Sequence, residues 1–192
     1  MVASRRKIFT TEEVAALIGL SPEDTWRVTK FIKSREYGIK PAITMGSGHG
    51  SRRLYDIENV CEIGLALRLL EAGLRPQVIG HVLKEVGQYS NVSPKLKIGA
   101  DAAKILYLAI LLSPRTGKPL DVSRIQYVDF VEGFSEVEHI IEQIAQGLKS
   151  RGLPNVDVLV HYDVLLVGVG LMFRGINERL AMMKEESSEA ER

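Results

Sequence analysis

From residue 8 to residue 84 the apolar positions recur every three or four residues and are interrupted at short intervals by glycine or proline, a pattern that predicts a series of short helices. Val14, Leu17 and Ile18 fall on one face of a helix opened by Thr10 or Thr11, with Glu13 three residues after Thr10 in the spacing of a capping box. Gly19 stops that helix, and Ser21 and Pro22 restart the chain as N-cap and first residue of a second helix reaching about Lys33. Trp26, Val28, Phe31 and Ile32 supply its apolar side, and Thr25, Arg27, Thr29 and Lys30 its outer surface. Between Ile43 and Asp56 the pattern changes to two short strand-like arms around a glycine-rich tip, the return arm carrying Arg52, Arg53 and Tyr55. Asp56 then caps a long helix with core positions Val60, Ile63, Leu67 and Leu70, which Gly73 ends. Arg75-Pro76 opens another, with Val78, Ile79, Val82, Leu83 and Val86 inside.

The second half reads differently. Residues 87 to 101 hold turn formers without periodicity and read as a linker. Ile105 to Leu112 is an unbroken apolar run, fit for a buried strand or a short core helix; Ile125, Tyr127, Val128 and Phe130 predict a second strand. Ser135 and Glu138 form a capping-box pair before an amphipathic helix with Val137, Ile140, Ile141, Ile144 and Leu148, closed by Gly152 and Pro154. Val156 to Tyr162 reads as a strand, after which Asp163 caps a last helix. That helix carries a stripe of Leu165, Val169, Met172, Ile176, Leu180 and Met183. Its glycines at 168, 170 and 175 each weaken a solvated helix by roughly 1 kcal/mol. Either a closely packed backbone offsets them, or the first part is strand. The expected fold class is α+β: a helical head with a β-wing over residues 7–86, a linker over 87–101, and a small α/β domain over 102–186 ending in a long helix.

Charge sharpens the picture of the head. The chain has 25 Lys and Arg against 24 Asp and Glu. Residues 1–55 hold ten of the basic and five of the acidic groups, leaving 15 basic and 19 acidic behind them. A near-neutral whole thus hides a basic front, suited to a polyanion. The single cysteine, Cys61, sits in an apolar helical stretch and reads as a buried, inert thiol. The longest apolar stretch, Val164 to Phe173, is shorter than the roughly 20 residues that span a bilayer, and a cytoplasmic location is expected. His81, His139 and His161 lack ligand spacing, so neither a metal nor a cofactor is expected.

The run Ile8-Phe9-Thr10-Thr11-Glu12-Glu13-Val14-Ala15-Ala16-Leu17-Ile18-Gly19-Leu20-Ser21-Pro22 resembles the opening of MerR-type winged-helix regulators. Arg53-Leu54-Tyr55-Asp56-Ile57-Glu58 stands where that family's wing ends and the next helix starts, and Leu69 to Ile79 is similar to the Ala-Gly-Leu turn that follows. The resemblance covers about residues 7–86 and implies a dimeric transcriptional regulator of double-stranded DNA. It would set the second helix in the major groove, with Thr25, Arg27, Val28 and Lys30 as contacts beside Thr11. Arg52, Arg53 and Tyr55 would hold phosphates from the wing. From the residues themselves, Trp26 belongs in the core, Tyr55 serves equally well as a cover for the wing's base, and Thr25 as a solvated helix residue.

For residues 102–186 two roles stand. One is dimerisation through the stripe Leu165, Val169, Met172, Ile176, Leu180 and Met183, which would set the separation of two DNA half-sites. The other is sensing of a small molecule in an apolar pocket lined by Tyr107, Tyr127, Phe130 and Tyr162. A nonspecific DNA-binding or protein-interaction module is the alternative for the whole chain. Asp129, Glu132, His139, His161 and Asp163 offer acid and base groups, yet no nucleophile elbow, phosphate loop or metal spacing accompanies them, so no enzyme is expected.

Overall fold

The computed structural model describes residues 8–46, 52–89, 105–113, 122–133, 137–152 and 162–190. Helix α1, Thr11–Ile18, opens on the expected capping box: the Thr10 backbone N–H donates to Glu13 Oε2 at 2.6 Å and the Glu13 N–H to Thr10 Oγ1 at 3.3 Å. Gly19 ends it at φ 81°, a left-handed conformation that glycine adopts without Cβ strain. The second helix does not run from Pro22. Pro22–Asp24 is a 3-10 turn, and α2 spans Trp26–Lys33. The short polar side chains bond locally instead of capping: Ser21 Oγ donates to Asp24 Oδ2 at 3.1 Å, and Thr25 Oγ1 to the Pro22 carbonyl at 2.9 Å.

Strands β1, Ile43–Met45, and β2, Arg52–Leu54, pair antiparallel, with Ile43 opposite Leu54 and Met45 opposite Arg52. The hairpin is tied to the start of the chain by an isolated bridge, in which Phe9 and Tyr55 exchange backbone hydrogen bonds of 2.7 and 2.9 Å. Asp56 caps α3, Ile57–Glu71, by accepting from the Asn59 N–H at 3.0 Å. Helix α4 runs Pro76–Tyr89, three residues beyond the expected end of the head. It lies so close to the segment after α2 that a Cβ at Gly80 would overlap the Glu36 carbonyl. Gln77 Nε2 donates to Glu36 Oε1 at 2.6 Å, and the Phe31 and Tyr37 rings meet edge-on at 4.8 Å. The end of α2 is thereby held from two sides.

Behind the head, β3 (Ile105–Leu112), β4 (Ile125–Gly133) and β5 (Asp163–Gly168) form an antiparallel sheet in the order β4-β3-β5. Helix α5 is Val137–Ser150 and α6 is Gly170–Ala190. The apolar run 105–112 is a strand because it is central and covered on both faces. Leu106, Leu108, Ile110 and Leu112 join the core shared with the head, while Ala109 and Leu111 face a second core with Ile140, Ile144 and Leu148 of α5. Among the described residues all pairings are antiparallel, so the rear half, expected as α/β, is itself α+β. Asp163 starts a strand, and the last helix begins only at Gly170. The Ser135 capping pair and residues 156–161 of the expected strand lie outside the described residues. Among the described residues no helix is long and apolar enough to cross a membrane.

One apolar cluster runs from Phe9 and Leu17 through α3 and α4 to Val128, Phe130, Phe173 and Ile176. It spans the expected boundary between head and rear. The stripe assigned to dimerisation is drawn into it: Val169 and Ile176 are fully buried, and Leu165, Met172, Leu180 and Met183 pack on the same cluster. Leu165, moreover, belongs to β5. The stripe therefore lies inside the chain's own fold, against α1 and α3, because Gly64 lets Met172 and Ile176 come close to the backbone of α3.

Burial raises the Glu62 carboxyl above the usual carboxylate range; the Asn59 hydrogen bond opposes this, and Glu58 and Asp56 reinforce it. The folded protein thus holds the Glu62 proton more tightly than the unfolded chain, and stability falls as pH rises from about 4.3 through the folded value. Glu62→Gln should raise the melting temperature at neutral pH, with the gain vanishing toward pH 4. A pH-independent difference in thermal unfolding would contradict this.

Candidate nucleic-acid interface

Helix α2 sorts its side chains by rotation about its axis. Val28 and Phe31, three residues apart, are buried and fix its inner face. Val28, at 0% exposure, cannot be a DNA contact; it is a core residue. Trp26 reverses the opposite expectation, since it is 58% exposed. Two residues advance an α-helix by about 200°, so a side chain at 26 cannot share the inner face that Val28 defines. The spacing within the helix overrides the general preference for burying so large a ring. Lys30 Nζ stands 5.8 Å above the Trp26 ring, a cation over an aromatic face. Arg27 is half-buried, Lys30 and Lys33 are exposed, and both lysines lie in the last turn, where the helix dipole favours cations. Thr25 is half-buried, its hydroxyl turned back to Pro22; Thr11 is half-buried at the start of α1.

The hairpin presents both its arginines, but not on one side. Successive strand residues point to opposite faces, so Arg52 and Leu54 share one face with Met45 and Ile43 across the ladder, and Arg53 shares the other with Thr44. Arg52 is exposed and Arg53 half-buried. Ile43 and Met45 are also exposed, at 43% and 56%. Tyr55 is not a phosphate ligand: at 1% exposure it is among the largest fully buried side chains, because the bridge to Phe9 carries its ring into the core. The wing tip, including His49, lies outside the described residues.

The four aromatic residues expected to line one apolar pocket in the rear half do not share a face. Tyr107, Tyr127 and Tyr162 sit with the α5 core, whereas Phe130 packs on the opposite face of the sheet, edge-on to Phe173 at 6.0 Å. Strand alternation separates them. Asp129 and Asp163 are used in separate pairs. Asp129 accepts from Arg151 at 3.0 Å and from the Tyr127 hydroxyl at 3.1 Å; Asp163 accepts from the buried Arg124 at 2.8 Å. Burial, with the Asp129 charge, pushes the Tyr127 hydroxyl well above its ordinary range, so it stays a proton donor. His139 is exposed, and His161 lies outside the described residues. Among the described residues no three His, Cys, Asp or Glu side chains are arranged so that they could hold a metal ion. Cys61 is fully buried, and burial pushes its thiol far up. Comparison with family models and with curated protein sequences gives no match for this chain.

Proposed function

We propose that the chain is a MerR-like winged-helix transcriptional regulator that acts on double-stranded DNA in the cytoplasm as a homodimer. One observation carries the reading: a helix pair, α1 and α2, with an outward basic and aromatic side on the second helix, is followed by an antiparallel hairpin with adjacent arginines. An α-helix fits the major groove, and guanidinium groups on a flanking ribbon bind phosphate without regard to sequence. Arg27 and Lys30 are the side chains of α2 suited to base edges or phosphates, with Trp26 beside them. Thr25 and Thr11 act at the margin, through their hydroxyls.

Selection from random duplex DNA with the purified chain tests this reading directly. It should return a motif, repeated at two half-sites if the chain acts as a dimer. Trp26 is the only tryptophan, so its fluorescence should change on DNA addition. Lys30→Ala and Arg27→Ala should alter the selected motif or lower affinity about tenfold. A chain that selects no motif and shows no fluorescence change with DNA is not a sequence reader.

A further inference from the structure

We propose that the cleft between the head and the rear sheet binds a small amphipathic carboxylate and couples its presence to the head. The cleft has a volume of about 580 Å³, within the roughly 300–1,000 Å³ range typical of small-molecule sites. Its walls come from both halves: Ile18 of α1 and Leu20 after it, Leu67 of α3, Leu106 of β3, and Leu171 and Met172 of α6. Leu171 is 78% exposed, a large apolar side chain left bare at the rim.

The charged groups of the cleft are unbalanced. Arg68, Arg174 and Arg179 line it, and Glu71 is the one acidic residue among the described residues of its lining. Each guanidinium has five N–H donors. Arg68 donates Nε to the Gly168 carbonyl at 3.1 Å and Nη1 to Glu71 at 3.5 Å; Arg179 donates Nη1 to the Leu17 carbonyl at 3.1 Å. Arg174 Nε is buried with no hydrogen-bond partner among the described residues. An unmet buried donor leaves the Arg174 cation short of partners, and a carboxylate, with two acceptor oxygens, suits the guanidinium groups that line the cleft. Gly19 and Gly175 leave the space that the Arg179 guanidinium occupies, since a Cβ at either would lie within 3.0 Å of it. An apolar body would rest on the leucine and methionine walls, its head group on the arginines.

Such a ligand touches α1 and α3 of the head and β3 and α6 of the rear at once. Binding thus favours whichever relative arrangement of the two gives it more contacts. The site stands on the cleft alone, while its effect on DNA rests on the proposed DNA-binding function. Calorimetry with the full chain decides the first part, using decanoate and 2-naphthoate as probes, with decanol, 2-naphthol and inorganic phosphate as controls. At least one carboxylate should saturate at one per chain and bind about tenfold or more tighter than its alcohol. Phosphate alone should not compete. Arg174→Met and Leu171→Glu should each weaken the carboxylate about tenfold, and Arg27→Ala should leave it unchanged. Leu171 is exposed, so its variant keeps the test intact if Arg174→Met fails to fold. Failure of both carboxylates to saturate, equal binding of the alcohols, or an unaffected Leu171→Glu chain would overturn the site. In a second measurement the bound carboxylate should change DNA affinity of the wild type but not of Leu171→Glu; no change in the wild type would overturn the coupling. Because the calorimetry contains no DNA, a chain that never binds DNA still shows whether the cleft takes a carboxylate.

Discussion

Alanine at both Arg52 and Arg53 should weaken binding to every DNA duplex, by about tenfold for each arginine that touches phosphate. The dependence of log affinity on log salt should flatten by about 0.9 for each such contact, because fewer counterions are released. The two single variants should differ. Arg52 and Arg53 lie on opposite faces of the β1–β2 ribbon, so a duplex lying against one face engages one guanidinium directly and the other only through its longer reach. The selected motif should remain the same in all three variants, since phosphates carry no base identity. Affinity measured at several salt concentrations checks each part. An unchanged salt slope in the double variant would remove the hairpin from the interface.

Phe173→Ala should cost roughly 3–5 kcal/mol of stability, the range for removing a fully buried phenylalanine. Phe173 is at 0% exposure, meets the Phe130 ring edge-on, and stands on α6 within the apolar cluster that continues into α3 and α4. The loss should therefore reach the head. Amide exchange should accelerate in α1 and α3 as well as in β3 and β4, since the same contacts hold them together. If only the sheet loosens while the head keeps its protection, the two halves are separable units after all. DNA affinity, on the proposed function, should fall as well, because a head that depends on α6 for its packing loosens when α6 is undercut.

Local chemistry makes much of this fold legible. The Thr10–Glu13 box, the Gly19 stop and the Asp56 cap each depend on residues no more than a few positions apart, and each forms where the spacing puts it. The strand at 105–112 and the helix at 137–150 follow from apolar runs of the right length and period. Sequence and structure part over which way a side chain faces. Val28 and Tyr55, which the family resemblance would set against DNA, are buried, as the apolar spacing of α2 and the reading of Tyr55 as a cover for the wing's base would have them, whereas Trp26, expected inside, is exposed. For α2 the rotation per residue holds the answer, but for Tyr55 nothing local does. Its ring turns inward because Phe9, distant in sequence, bridges to it.

The rear half shows the same division more sharply. Periodicity correctly marks an apolar stripe towards the end of the chain, and its glycines correctly require either a close neighbour or a strand. Both are true: the backbone of Leu106 lies 3.2 Å from where a Cβ at Gly170 would sit, and Gly168 lies within β5. Periodicity cannot say what the stripe meets. The answer is the chain's own head, through contacts such as Arg179 to the Leu17 carbonyl across 162 residues.

By itself, then, the sequence determined most of the helices, their caps, the hairpin, the basic front and the apolar faces of the long elements, because these depend on neighbours within a turn or two. Only the tertiary structure decided which faces are spent and which remain open. It spent the stripe expected to dimerise within the chain's own core, exposed Trp26 beside Lys30, and gathered Arg68, Arg174 and Arg179 around one cleft. The physical reason is that burial and charge pairing are settled by groups far apart along the chain, whose approach depends on the packing of the whole core.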